Sequence, residues 1–410
     1  MIQKRAVASL SAVAVLLTAG ACSEEGGRTP PAANTSSISS TERGTVLNTV
    51  PLTEMNPDQV RAYLRDQGVD ASKVRFGVIM LRIEYASIDP AGQPTKASAL
   101  VARPKTDSAR PQLVSWQHGT TVSRASTASM TADSSNRATA VLFAADGYLV
   151  SAPDYLGLGT GPGLHPYDDL PSTVTASVDA LRATRTLGEQ AGHRIDGRVL
   201  LSGHSQGGPA AMAVGRELSR GGVPGLRPAA LAPISGPHDF SGSLRTAVTG
   251  PQGGINHASA YLAYLTVAWQ RLHHLYNTPS EAFRSPYDQT VERSLDGSQP
   301  ANQVLATLPV NLDELFTPEF LARLRNPSGT LAAAIQVADS SCQWRPPVPV
   351  TLFASRGDRD VPIANATHCE DAIRAEGGQA TMTDLGDIDH GATALQALPQ
   401  VLTEFNQAIS

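Results

Sequence analysis

The sequence predicts an α/β chain built on a mostly parallel central sheet with helices on both faces. Two observations carry that prediction. Short apolar runs bounded by Gly, Pro and Asp alternate with stretches of helical spacing from about residue 51 to the C-terminus, and strands separated by helices pair in parallel. One of those runs, Val199-Leu200-Leu201, passes directly into Gly203-His204-Ser205-Gln206-Gly207 and then into the small-residue stretch Pro209-Ala210-Ala211-Met212-Ala213.

The elements follow in order. Asn56 reads as the cap of a short helix ending near Asp66. Two β-rich stretches, 74–87 and 96–103, flank the turn Asp89-Pro90-Ala91-Gly92. Buried strands are expected at 112–117, ending at His118-Gly119, and at 148–152, ending in Pro153-Asp154-Tyr155. In 173–191, Val174, Val178, Leu181 and Leu187 share one side of a helix. Strands at 198–202, 229–234, 348–353 and 380–385 complete the sheet. Residues 241–346 hold no convincing strand but several helical pieces, the most apolar at 258–275. An insertion of that length between late strands predicts a helical cap before the penultimate strand, at the end of the sheet where ligand crevices form.

Composition bounds the rest. With 410 residues, 41% hydrophobic and 17% charged, a packed core needs no unusual device. The net charge of -5 without a basic stripe argues against nucleic acid as a partner. The three cysteines, Cys22, Cys342 and Cys369, match no zinc spacing, and the adjacent His273 and His274 point about 100° apart on a helix. No metal site is expected.

Residues 1–21 read as an export signal: Lys4 and Arg5, then an apolar run shorter than the ~20 residues a spanning helix needs. The run ends in small residues before Cys22, which resembles a bacterial lipobox. Lipidation of Cys22 is the favoured reading, giving a possible membrane tether, and ordinary cleavage near Ala21 is the alternative. Residues 22–45, rich in Ser, Thr, Gly, Pro and Ala, read as a flexible tether. The domain would then comprise a core in two parts, 46–240 and 347–410, around the cap at 241–346. Export implies an oxidising compartment, in which Cys342 and Cys369 are expected to pair.

The chemistry centres on Gly203–Gly207, a G-x-S-x-G match with the strand and helix that such a nucleophile turn requires. A serine hydroxyl needs a base, and in this α/β-hydrolase arrangement the order is Ser, acid, His. The acid loop after strand 348–353 reads Ser355-Arg356-Gly357-Asp358-Arg359-Asp360-Val361-Pro362. Ungapped, it puts Asp358 at the acid position, with Asp360 the second choice and Ser355 where glycine is common. His390, after the last strand, is the candidate base. For the oxyanion, the backbone N–H of Gln206 and that of Thr120 are the chosen donors, with Gly119 the alternative to Thr120. His118 reads mainly as a turn residue.

Ser115–Thr121, the block Ala152-Pro153-Asp154-Tyr155-Leu156-Gly157-Leu158-Gly159, His165-Pro166-Tyr167, Asp179-Ala180-Leu181-Arg182-Ala183 and Gly203–Gly207 together resemble the secretory lipase family of fungi and bacteria. The resemblance implies a secreted lipase or esterase that needs no cofactor and acts on a small-molecule or lipid ester. It also puts Asp154 and Tyr155 near the site, with Tyr155 and His118 as candidates for substrate contact. Peptidase or acyltransferase activity on the same fold, or a non-catalytic lipid-surface protein, are the alternatives.

Overall fold

The computed structural model describes residues 42–106, 111–250 and 254–410. The export signal, Cys22 and most of the tether lie outside the described residues. Gly44 and Thr45, assigned to the tether by composition, exchange backbone hydrogen bonds with Ala86 at 2.8 and 2.9 Å, so the folded domain starts slightly earlier than the sequence suggests.

Nine strands form one sheet: β1 Val46–Met55, β2 Val78–Ile88, β3 Pro94–Pro104, β4 Leu113–Gln117, β5 Leu149–Pro153, β6 Arg198–His204, β7 Arg227–Ile234, β8 Val350–Ala354 and β9 Ala380–Asp384. Their order is β1-β2-β3-β5-β4-β6-β7-β8-β9. The first three strands and the β3–β5 pairing are antiparallel; from β5 to β9 every pairing is parallel. The turn between β2 and β3 is closed by Asp89, whose backbone pairs with Gln93.

β6 shows why this stretch is a central strand. Val199, Leu200 and Leu201 are all fully buried, because a parallel strand is covered on both faces. Successive side chains alternate, so Leu200 packs into one apolar cluster while Val199 and Leu201 pack into the cluster on the opposite face. A third cluster lies within the helical insertion between β7 and β8, around Trp269, Phe283, Phe316 and Phe320.

Two elements escaped the sequence reading. β1 is an edge strand with mostly exposed residues, and its apolar side chains, Val46, Leu47, Val50, Leu52 and Met55, do not keep the strict alternation that marks a half-buried strand. The helix Ser135–Ala145 is buried from Arg137 to Ala145, and a helix enclosed all round has no polar face to give it a period. The helix Pro57–Asp66 is capped as expected: Asn56 Oδ1 accepts from Gln59 N, and Gln59 Oε1 accepts from Asn56 N, both at 2.9 Å. Among the described residues, no helix is long and apolar enough to cross a membrane.

Cys342 and Cys369 form a disulfide, with Cα atoms 5.3 Å apart. It ties the end of the helical insertion to the helix Ala364–Ala375, which follows the acid loop.

Candidate active site

Ser205 stands where β6 ends and the helix Gly207–Ser219 begins, with its backbone at φ 58. Left-handed backbone costs a non-glycine residue about 1–3 kcal/mol and persists only where its surroundings fix it. They do so here: Ser205 N donates to Ile234 O of β7 at 3.0 Å, and Ser205 O accepts from Gly208 N at 2.8 Å. The turn has no room for side chains beside the serine. A Cβ on Gly207 would collide with the carbonyl of Gln117, and one on Gly119 would lie 3.2 Å from Ser205 Cβ. The loop after β4 therefore presses against Ser205, which accounts for the Gly at both places.

Asp358 and His390 meet from separate loops. His390 opens the last helix, which Asp389 caps by accepting from Ala392 N at 2.8 Å. His390 Nδ1 donates to Asp358 Oδ2 at 2.7 Å, while Asp358 Oδ1 accepts from the N–H groups of Asp360 and Val361 at 2.9 Å each. Burial pushes the Asp358 carboxyl up, but the His390 hydrogen bond and charge, with the Val361 N–H, outweigh it and hold the group below the usual carboxylate range. Asp360 does not reach His390. Its Oδ1 instead meets Tyr261 Oη at 2.9 Å and His257 Nδ1 at 3.1 Å, both from the helical insertion.

His204, the residue before Ser205 in the chain, lies against His390. The His204 ring lies 4.4 Å from the His390 ring, and its Nε2 is 3.1 Å from His390 O. Burial depresses the His204 imidazole to about 3, so it stays neutral beside His390. Ser355, the residue that replaces the expected glycine, locks the two loops together. Its hydroxyl sits 2.7 Å from both Gly386 O and Ile388 O and accepts from Ile388 N at 3.2 Å.

The structure puts His118 and Tyr155 behind the site, not on the substrate-facing wall expected from sequence. Tyr155 is fully buried, stacked at 4.0 Å on His118, and its hydroxyl donates to His118 O at 3.2 Å. His118 is 3% exposed, its ring nitrogens held by Gly119 O at 2.7 Å and Asp154 O at 3.1 Å, and burial pushes its imidazole down. Asp154 is equally enclosed, accepting from Ser98 Oγ at 2.6 Å and from Ser129 Oγ. These residues brace the loop that packs against the Ser205 turn. Asp179 of the D-x-x-R-A helix is likewise structural, bonded to Arg43, Ser87 and Arg182.

Ser205, Gln206 and Thr120 open onto a cavity of about 90 Å³. The helical insertion supplies much of its wall, through residues such as Phe240, Leu244, Tyr261 and Leu265. On the helix Ala258–His273, Tyr261, Leu262 and Leu265 face the cavity, whereas Tyr264 and Trp269 are buried in the insertion's own core. Asp168, which the sequence reading passed over, also stands on this wall. A half-buried acid before a capped helix has no sequence mark that separates it from a turn residue.

Comparison with known proteins fits this geometry. The family model described as the alpha/beta hydrolase family matches residues 113–390, more than half of the chain. The ligand-bound rice cell wall degrading esterase LipA from Xanthomonas oryzae is 28% identical, with a TM-score of 0.80, over 89% of this chain and 98% of that one. A protein of Legionella pneumophila is 25% identical, with a TM-score of 0.80, over 88% of this chain and 98% of its own. Lipase A of Candida antarctica in its closed state shares the fold at 15% identity, with a TM-score of 0.63, over 91% of this chain and 84% of the lipase. No curated protein sequence matches the chain significantly.

Proposed function

Since the chain belongs to the alpha/beta hydrolase family, we propose that it is a serine hydrolase of carboxylic esters, with Ser205 as nucleophile, His390 as base and Asp358 as the acid that orients it. The observation that supports this most is the 2.7 Å His390–Asp358 hydrogen bond beside the left-handed Ser205 turn, with Ser205 open to a cavity. Asp358 fixes the tautomer by accepting from Nδ1, which leaves Nε2 free to take the Ser205 proton. Ser205 Oγ then bonds the ester carbonyl carbon. The oxyanion receives N–H donation from Gln206, at the start of its helix, and from Thr120 in the loop after β4. His390 returns the proton to the leaving alcohol. A water deprotonated by His390 releases the acid and restores Ser205.

The esterase of Xanthomonas oryzae, 28% identical over most of both chains, supports an esterase over a lipase of long-chain fats. We further propose an extracellular or envelope location, with Cys22 lipidated. The N-terminal sequence and the disulfide, which needs an oxidising compartment, support that location.

Rates on p-nitrophenyl esters from acetate to palmitate, an anilide analogue, and a Ser205→Ala control test the activity. Short-ester preference lost in Ser205→Ala, with a fluorophosphonate adduct on Ser205, is the expected result. Anilide turnover above ester turnover would make the chain a peptidase and overturn the proposal. Mass spectrometry of the mature N-terminus, read for a diacylglyceryl group on Cys22, tests the location.

A further inference from the structure

The ester chemistry assigned to Ser205 leaves the charge of its cavity without a use. The described wall carries two carboxyl groups, Asp168 and Asp360, together with the rings of Tyr167, Tyr261 and Phe240, and no Lys, Arg or His. Asp360 is already engaged with His257 and Tyr261. Asp168 is not offset by any cation among the described residues. Its partner is the Tyr167 hydroxyl, which is itself 3.0 Å from Thr120 Oγ1. A carboxyl left in an apolar wall is costly unless an opposite charge or several donors meet it. Asp168 is held there at φ 54, on left-handed backbone that most residues avoid.

A second acceptor lies beneath the same wall. Gln206 is 5% exposed, and its Oε1 is buried with no hydrogen-bond partner among the described residues, while its Nε2 lies 3.4 Å from His165 Nε2. Gln206 and Asp168 both border the cavity and a smaller extension of it toward Pro209 and Ala338. A ligand that brings positive charge would neutralise Asp168, and tyrosine faces add cation–π attraction for such a group. A neutral alkyl group would leave the Asp168 carboxylate without a counter-charge.

Resting on the serine-ester reading, we propose that this cavity selects esters bearing an ammonium group, with Asp168 as the counter-charge and the rings of Tyr167 and Tyr261 as its surround. Asp168 is a specificity residue, not a participant in bond breaking.

The test compares two thioesters of the same shape on the purified protein at about pH 8, above the value of about 7 to which burial raises Asp168. Acetylthiocholine carries a quaternary nitrogen; 3,3-dimethylbutyl thioacetate carries carbon in its place. The ratio of their kcat/KM values, taken on one preparation, is independent of the folded fraction. The expected ratio favours the charged ester about tenfold and falls to about one to three in Asp168→Asn. Asn is the residue best suited to keep the left-handed backbone. A wild-type ratio of one or less, or a ratio unchanged in Asp168→Asn, overturns the proposal. So does turnover of p-nitrophenyl acetate with neither thioester accepted. Failure of every ester together with an unlabelled Ser205 would instead sink the serine-ester reading itself.

Discussion

Replacing Asp168 by Asn is expected to stabilise the protein above neutral pH and to leave it unchanged near pH 4. The group's ordinary value is 3.8; burial pushes it up to about 7 in the folded chain, and the Tyr167 hydroxyl bond offsets only part of that. Between those values the folded state keeps a proton that the unfolded state has released. Stability then falls as pH rises through this window and levels off above about 7. The gap corresponds to at most about 4 kcal/mol, and to about 2–4 kcal/mol once the cavity's access to water is allowed for. Asn has no proton to lose and escapes the cost. Equilibrium urea unfolding from pH 4 to 9, followed by fluorescence of the buried Trp116, Trp269 and Trp344, measures it. The Asn variant should match the parent at about pH 4 and exceed it by roughly 2–4 kcal/mol at about pH 8. A difference that does not vary with pH, or a parent that is the more stable at pH 8, refutes the reasoning.

Asp358 behaves in the opposite sense. Its folded value lies below the ordinary one, so its contribution is complete above about 4 and disappears as pH falls through the lowered value; the unfolding gap between parent and Asp358→Asn should close in acid. The same variant should lose about 10⁴-fold in kcat with a smaller change in KM, since it disturbs the tautomer of His390 and not the cavity. Gly207→Ala should yield insoluble protein or a loss of at least about 2 kcal/mol, because its Cβ has no space beside the Gln117 carbonyl; normal folding of that variant would contradict the close approach. Replacing Cys342 and Cys369 by Ser opens a link across 27 residues of sequence and should cost about 3 kcal/mol in urea unfolding, with no further loss when reductant is added.

Much of the site was legible because it is local. Gly203–Gly207 follows an apolar strand and precedes a helix of small residues, and a turn of that kind is encoded within a dozen positions. The loop after β8 was legible, with Asp358 preferred to Asp360, two residues away and chemically alike. The chain's closure separates their surroundings: Asp358 meets His390, and Asp360 is taken by Tyr261 and His257. Tyr155 shows the opposite failure. Its block is distinctive in sequence, yet the side chain is enclosed beneath the loop it supports and is absent from the cavity wall.

By itself the sequence determined most of the alternating strands and helices, the strand–turn–helix at Gly203–Gly207 and the pair of cysteines able to join, because hydrophobic period, glycine sterics and cysteine count act over short spans of chain. Tertiary structure decided what no short span contains. It set the antiparallel edge formed by a largely exposed β1, the Ser355 link between two loops some thirty residues apart, and the cavity wall where Asp168 from one segment faces Tyr261 from another. Those features arise from packing between distant segments. Burial then gives a single aspartate a charge state and a neighbourhood that its place in the sequence does not express.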